Sequence, residues 1–255
     1  IYGGGASEEI FGRVLKNNPG MRDKIVLQSK CGICDGYYDA SREHILEAAD
    51  GILKRLGVDH LDSLLLHRPD ALMEPEEVAE AFETLHRAGK VRYFGVSNEN
   101  AGQLALLERA MPGRIIINQL QFSMAHTGMV DAGMNVNIHS DHAVVRDGAV
   151  LDYCRLHDIT IQAWSPFQYG MFEGVFLGCE KYAELNAEIR KVAEAHGVSD
   201  TAIAVAWIMR HPAGIQTIVG SMNPRRIADI ATAQNVSLTR QEWYRLYLAA
   251  GNPLP

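Results

Sequence analysis

Residues 61–98 read LDSLLLHRPDALMEPEEVAEAFETLHRAGKVRYFGVSN and contain one complete strand–helix–strand pattern. Leu64–Leu66 and Val91–Val96 are strand-length runs rich in apolar residues. The segment between them follows Pro75 and carries apolar residues at helical spacing, namely Val78, Ala81, Phe82 and Leu85. Continuously apolar strands joined by helices are typical of parallel sheets covered on both faces. This stretch therefore predicts an α/β protein.

The same alternation continues on both sides of this unit. The remaining strand-length runs are Ile25–Leu27, Ile115–Ile117, Ile159–Trp164 and Ile215–Val219. Further helical patterns lie at residues 45–56, 185–193, 203–207, 227–231 and 243–247, with Ser41 as a candidate N-cap and a capping-box pattern at Thr239 and Glu242. The segment from Ser123 to Asp147 has no clear period, and its length favours a functional loop after a strand.

A polar residue lies at the carboxyl end of each predicted strand. These residues are Lys30, His67, Ser97 with Asn98, Gln119, Ser165 and Ser221. In a barrel of parallel strands such ends converge on one mouth, where the site is built. In an open doubly wound sheet they lie along a line, and only those near the switch point meet. The pattern therefore favours a (β/α)8 TIM barrel.

The strand count differs from that of a complete barrel. A (β/α)8 barrel needs eight strands, whereas the sequence contains six strand-length runs and opens with a loop and a helix at Ser7–Lys16. We therefore expect the first two strands to lie upstream of Ile1. We predict one barrel domain over residues 1–255 that is incomplete at its N-terminal side.

Composition narrows the class of protein. Hydrophobic residues make up 47% of the 255 residues and charged residues 22%, which excludes a disordered chain. No apolar run is long enough for a membrane span, and the start does not read as a signal peptide. A net charge of −7 argues against nucleic acid and anionic membranes as partners. Four cysteines favour a reducing compartment, so we expect a cytoplasmic protein. We also expect a monomer or a small homo-oligomer.

Seven short motifs occur in the order that is typical of aldo-keto reductases. They are Tyr2-Gly3, QSKCG at 28–32, LLHRPD at 65–70, GVSN at 95–98, NQL at 118–120, WSPF at 164–167 and VGSMNP at 219–224. The chain thus resembles this family over its whole length. It is most similar to a bacterial oxidoreductase branch that carries SKCGI and LLLHRPD. The resemblance implies hydride transfer between NADPH and the carbonyl of a small aldehyde or ketone.

The resemblance also implies the catalytic roles. In the family a tyrosine protonates the carbonyl oxygen, a lysine and an aspartate tune that tyrosine, and a histidine orients the carbonyl. By position these are Tyr2, Lys30 and His67, while the aspartate falls five residues before Tyr2 and thus before Ile1. A neighbouring ammonium favours the phenolate form of a phenol. A neutral imidazole can donate a hydrogen bond to a polarised oxygen.

The resemblance implies NADP(H) as the cofactor, although no GxGxxG fingerprint is present. Its nicotinamide end is assigned to Ser97, Asn98, Gln119, Trp164, Ser165, Pro166 and Phe167, with Trp164 stacking on the ring. Its phosphate end is assigned to Gly220, Ser221, Asn223 and Arg226. Many relatives carry lysine at the Gly220 position and asparagine at the Ile230 position, so we expect reduced discrimination between NADPH and NADH.

Other functions stay open at this point. The pairs Cys31/Cys34 and His139/His142 could ligate zinc, but they are about a hundred residues apart, so we predict no metal. Lys30 could form a Schiff base in an aldolase of the same fold. The absence of the family's aspartate from the residues present favours a further alternative, a non-catalytic NADP(H)-binding module.

Overall fold

A computed structural model describes residues 1–255. The chain divides into two compact units, Ile1–Asn118 and Gln119–Pro255, and the boundary falls inside one strand. The single domain expected from the sequence stays a prediction. None of the helices is both long and apolar enough to cross a membrane.

The first unit alternates helices and strands. Its elements are a 3₁₀ turn (Tyr2–Gly5), α1 (Ala6–Asn17), β1 (Gln28–Cys31), α2 (Arg42–Leu56), β2 (Leu61–Leu66), α3 (Pro75–Arg87), β3 (Val91–Ser97), α4 (Ala101–Ala110) and the start of β4 (Ile115–Gln121). Strands β1, β2 and β3 are parallel neighbours, and β4 follows β3 in the sheet. The register places Lys30, Leu65 and Gly95 in one row.

Two local sequence features explain where helices α2 and α3 begin. Ser41 caps α2 by accepting a hydrogen bond from the backbone of His44, as the sequence predicts. Pro75 stands at the first position of α3, where its missing N–H costs nothing. The apolar faces of α2 and α3 are buried, and Phe82 of α3 stacks on Phe94 of β3 at 4.2 Å between ring centroids.

Gly95 allows strands β3 and β4 to approach closely. A Cβ atom at this position would lie 2.7 Å from both the Cβ and the carbonyl oxygen of Ile117. Any larger side chain at this position would push β4 away, so residue 95 has to be glycine. The strand end that carries Ser97 and Asn98 is fixed by this contact.

The second unit continues the alternation. Its elements are the end of β4, α5 (Gly128–Met134), α6 (Val150–Leu156), β5 (Thr160–Trp164), β6 (Gln168–Tyr169), β7 (Gly174–Val175), α7 (Ala183–His196), α8 (Asp200–Met209), β8 (Gln216–Thr217), α9 (Pro224–Ala231) and α10 (Arg240–Ala249). Strand β5 lies between β4 and β8 in the sheet and is parallel to β8. Trp207 and Trp243 stack at 4.6 Å, and each indole N–H donates to the other residue's carbonyl oxygen.

Several sequence-based boundaries were wrong. The first strand covers Gln28–Cys31 rather than Ile25–Leu27, and Val26 is 81% exposed. Lys30 therefore lies within a strand and not after it. The segment from Ser123 to Asp147 contains helix α5. The sequence analysis also missed α4, α6 and the antiparallel pair β6–β7. The capping box at Thr239 and Glu242 is confirmed.

Candidate active site

Tyr2, Lys30 and His67 meet at one place in the first unit. The Lys30 ammonium donates a hydrogen bond to the Tyr2 hydroxyl at 3.1 Å. The same hydroxyl lies 3.3 Å from Nε2 of His67, and the two rings are 5.5 Å apart. The hydroxyl oxygen of Tyr2 is thus in contact with both the Lys30 ammonium and the His67 imidazole.

The fold brings these three residues together from distant parts of the sequence. Tyr2 lies in the turn before α1, where Gly3 and Gly4 adopt left-handed backbone angles near 62° in φ. Lys30 lies in β1, opposite Leu65 of β2. His67 follows β2 directly, and its backbone N–H donates to the carbonyl oxygen of Cys31 at 2.9 Å. The parallel pairing of β1 and β2 therefore sets the spacing between the amine and the imidazole.

The cluster borders a cavity of about 540 Å³ that also exposes a carboxylate. Glu8 of α1 accepts hydrogen bonds from Ser29 at 2.6 Å and from Arg55 at 2.7 Å. The Arg55 guanidinium balances the charge of Glu8. Sequence reasoning missed both residues, because the pairing joins α1 to α2 and no local pattern marks it.

His67 is neutral at physiological pH. Burial, followed by the positive charges of Lys30 and Arg68, lowers the pKa of His67 from 6.5 to about 3. A charged imidazole would stand beside an ammonium in a partly buried position, and both effects penalise it. His67 can therefore donate one hydrogen bond to a ligand oxygen without carrying charge itself.

Ser97 and Asn98 lie at the carboxyl end of β3. Asn98 has a φ of 62°, in the left-handed region that asparagine tolerates better than most residues. Its side-chain amide donates to the Ser97 hydroxyl at 2.9 Å. The turn presents an amide and a hydroxyl side by side, a pair that can both donate to and accept from a carboxamide.

Glu99 is a buried carboxylate that the sequence analysis did not single out. The residue is 1% exposed, and neither of its carboxylate oxygens has a hydrogen-bond partner. Asn118 donates to its backbone oxygen at 2.9 Å. Burial and the nearby Asp70 carboxylate raise the pKa of Glu99 from 4.5 to about 7. The sequence gives no signal, because a glutamate after a strand is usually exposed.

Replacing Glu99 with glutamine is expected to make stability less sensitive to pH. A carboxyl with a raised pKa in the folded state contributes its full stability below 4.5 and loses it as pH rises through about 7. Glutamine resembles the protonated form at every pH. When the pH rises from 5 to 8, the free energy of unfolding of the parent should fall by on the order of 2–3 kcal/mol more than that of the variant.

Urea unfolding of both proteins at the two pH values measures this difference. Glu108→Gln, a change on α4, controls for the loss of one carboxylate elsewhere in the same unit. An equal effect of pH on the parent and Glu99→Gln proteins would show that Glu99 is not buried as a carboxylate.

In the second unit, Gln119 and Trp164 lie in neighbouring strands. Gln119 is buried, and its amide donates to Gln162 of β5 at 2.8 Å, while Gln162 donates to Gln216 of β8 at 3.0 Å. Trp164 ends β5, and its ring lies 6.5 Å from that of Phe172. The row of glutamines fixes the Gln119 side chain across three strands.

The turn after Trp164 has a defined shape. Ser165 adopts a left-handed φ of 51°, and Pro166 follows it. The carbonyl oxygen of Phe167 accepts a hydrogen bond from the backbone of Phe176 at 2.9 Å. These three residues therefore form an anchored turn at the end of β5, and their contact with a cofactor stays a prediction.

The residues assigned to the phosphate end of the cofactor lie between β8 and α9. Gly220 and Ser221 precede the helix, and Asn223 caps it by accepting from the backbone N–H groups of Arg225 and Arg226. Backbone N–H groups at a helix start can attract an anion, but here the Asn223 side chain already accepts from both. An anion here would rely on the exposed arginine side chains and on Ser221.

A comparison with known families decides the classification. A model described as the aldo/keto reductase family matches residues 1–247. The chain belongs to the aldo-keto reductase family. The resemblance seen in the sequence is thereby confirmed, and the protein is an oxidoreductase.

Individual relatives agree with this classification. The chain is 35% identical to the 6-dehydroglucose reductase of Agrobacterium fabrum, over 98% of this chain and 80% of that protein. It is also 35% identical to oxidoreductase YdhF of Escherichia coli, with the same coverage.

A solved aldo/keto reductase from Klebsiella pneumoniae, in complex with NADP and acetate, is 25% identical. It superposes with a TM-score of 0.77 over 99% of this chain and 78% of that protein. The (β/α)8 fold class predicted from the sequence is confirmed.

Proposed function

We propose that this aldo-keto reductase reduces the carbonyl group of a small aldehyde or ketone with NADPH. One observation carries the proposal. The Tyr2 hydroxyl oxygen lies 3.1 Å from Nζ of Lys30 and 3.3 Å from Nε2 of His67. Carbonyl reduction needs an acid that gives up a proton and a cation that stabilises the resulting anion. It also needs a neutral hydrogen-bond donor to the carbonyl oxygen.

The chain's own residues can perform the proton step. Tyr2 gives its phenolic proton to the carbonyl oxygen as that oxygen gains an electron pair. Lys30 stabilises the phenolate that remains, because its ammonium already donates to this oxygen. His67, which is neutral, donates its N–H to the carbonyl oxygen and holds it beside Tyr2. NADPH, when bound, supplies the hydride that the carbonyl carbon accepts.

Each unit offers side chains that fit one part of NADPH. In the first unit, Ser97 and Asn98 present the hydroxyl and amide that suit a carboxamide. In the second unit, Arg225 and Arg226 lie in the first turn of α9 and are exposed, which suits a phosphate. The solved relative from Klebsiella pneumoniae is a complex with NADP and acetate, which supports the same cofactor here.

NADPH oxidation by the purified protein tests this proposal directly. The panel should contain reactive aldehydes, simple ketones and 6-dehydroglucose, the compound after which the Agrobacterium fabrum relative is named. We expect turnover with at least one carbonyl and none without a carbonyl. Tight NADPH binding with no turnover on the whole panel would favour a non-catalytic module. A covalent adduct at Lys30 after borohydride trapping with a keto substrate would favour an aldolase instead.

Arg226→Glu is expected to weaken NADPH binding by about 10–100-fold and to change NADH binding much less. A charge-assisted hydrogen bond is worth about 1.5–3 kcal/mol, and NADH lacks the 2′-phosphate. Fluorescence titration with both cofactors measures the ratio. Arg240→Glu, the same charge change at the start of α10, is the control. An equal loss for NADPH and NADH would exclude Arg226 from contact with the 2′-phosphate.

A further inference from the structure

Three potential metal ligands lie together in the loop after β1 and the first turn of α2. They are the thiol of Cys34, the carboxylate of Asp39 and the imidazole of His44, with ligand atoms all within 4.8 Å of one another. The Cys34 sulfur lies 3.9 Å from Nδ1 of His44. All three residues are half-buried. The proposed reduction of a carbonyl uses none of them.

The backbone of this loop holds Cys34 and Asp39 on facing arms of a small hairpin. The backbone N–H of Cys34 donates to the carbonyl oxygen of Tyr37 at 3.0 Å, and that of Asp39 donates to Gly32 at 3.0 Å. Ile33 and Tyr38 form an antiparallel bridge between these two bonds. The positions of the thiol and the carboxylate are therefore set before any ligand binds.

The start of α2 fixes the third ligand. Asp39 accepts a hydrogen bond from the backbone of Ser41 at 2.9 Å, and Ser41 accepts one from the backbone of His44 at 3.3 Å. These bonds tie the hairpin to the first turn of the helix.

We propose that Cys34, Asp39 and His44 bind one zinc ion, with water as the fourth ligand. Thiolate, imidazole and carboxylate are the three ligand types that zinc prefers in proteins. Ligand atoms on a zinc tetrahedron are about 3.3–3.8 Å apart, given bond lengths of about 2.0–2.3 Å. The ligand atoms of the cluster lie within 4.8 Å of one another, so small side-chain rotations would bring them to this spacing. Binding forms a Zn–S bond and releases the thiol proton of Cys34 to solvent.

Cys31 does not take part in this site. Its side chain is buried, its sulfur faces the carbonyl oxygen of Leu65 at 3.8 Å, and burial raises the pKa of Cys31 to about 12. It stays a neutral thiol, which binds zinc poorly. The C-x-x-C motif therefore contributes one ligand, and the hairpin and the helix start supply the others. The site that we propose therefore does not include His139 or His142.

Cobalt(II) is the probe of choice, because it occupies zinc sites and reports thiolate ligation by a near-ultraviolet charge-transfer band. We expect the metal-stripped protein to bind one cobalt ion per chain with such a band, and zinc to remove the band by displacement. Cys34→Ser should abolish the band, and His44→Gln should weaken binding at least 10-fold. Cys179→Ser, which removes another half-buried free thiol, should leave both unchanged.

Two results would overturn the proposal. The first is cobalt binding without a thiolate band, which would mean adventitious binding to other side chains. The second is a band that persists in Cys34→Ser. Circular dichroism checks that each variant is folded. If Cys34→Ser does not fold, alkylation of the parent protein decides: zinc must protect Cys34 from iodoacetamide, located by mass spectrometry, and equal labelling with and without zinc would end the proposal.

Discussion

Replacing Tyr2 with phenylalanine is expected to lower kcat for carbonyl reduction by about 10²–10⁴-fold, the usual contribution of a positioned acid. The variant keeps the ring that packs near His67 but loses the oxygen that both Lys30 and His67 contact. NADPH affinity should stay within about twofold, because the phenol acts in the transition state. Steady-state kinetics and a cofactor titration measure the two quantities.

Tyr93→Phe provides the matched control for this prediction. Tyr93 lies in β3 and is 55% exposed, so removing its hydroxyl tests the same chemical change outside the cluster. We expect parental kinetics from this variant. If Tyr2→Phe also retained the parental kcat, Tyr2 would not be the proton donor.

Lys30→Met is expected to lower kcat for carbonyl reduction by about 10²-fold or more. The ammonium of Lys30 donates to the Tyr2 hydroxyl and thereby stabilises the phenolate. Without the ammonium, the negative charge that develops on the Tyr2 oxygen lacks its neighbouring cation. Steady-state kinetics with an aldehyde measures the loss.

A stability measurement separates this role from a structural one. A side chain that only maintains the fold would lower the free energy of unfolding together with kcat, whereas we expect Lys30→Met to unfold in urea as the parent does. Lys16→Met, a change in the last turn of α1, controls for the loss of one positive charge. A Lys30→Met protein that keeps the parental kcat, or that loses activity only together with its stability, would contradict the electrostatic role.

Much of the fold could be predicted because it depends on local patterns. The βαβ unit at residues 61–98 contains its strands and its helix close to the expected positions, since burial on both faces leaves continuous apolar runs. The first strand could not be located in this way. Gln28–Cys31 is polar in sequence, and its strand conformation comes from backbone pairing with β2.

The candidate site was predictable to a different degree in different places. Family motifs named Tyr2, Lys30 and His67, and the structure brings these three together. The buried state of Glu99 depends on tertiary packing, which no local pattern encodes. The same is true of the cluster of Cys34, Asp39 and His44, because tertiary structure brings these three side chains together.

The transfer of deuterium from NADPH that carries deuterium at both C4 positions is the sharpest test of the proposed chemistry. In that chemistry, Tyr2, Lys30 and His67 assist hydride transfer to a carbonyl carbon. In a single turnover with an aldehyde, we predict an alcohol that carries one deuterium on its carbinol carbon, formed at a much lower rate by Tyr2→Phe. An alcohol without deuterium, or equal rates of transfer in both proteins, would contradict this mechanism.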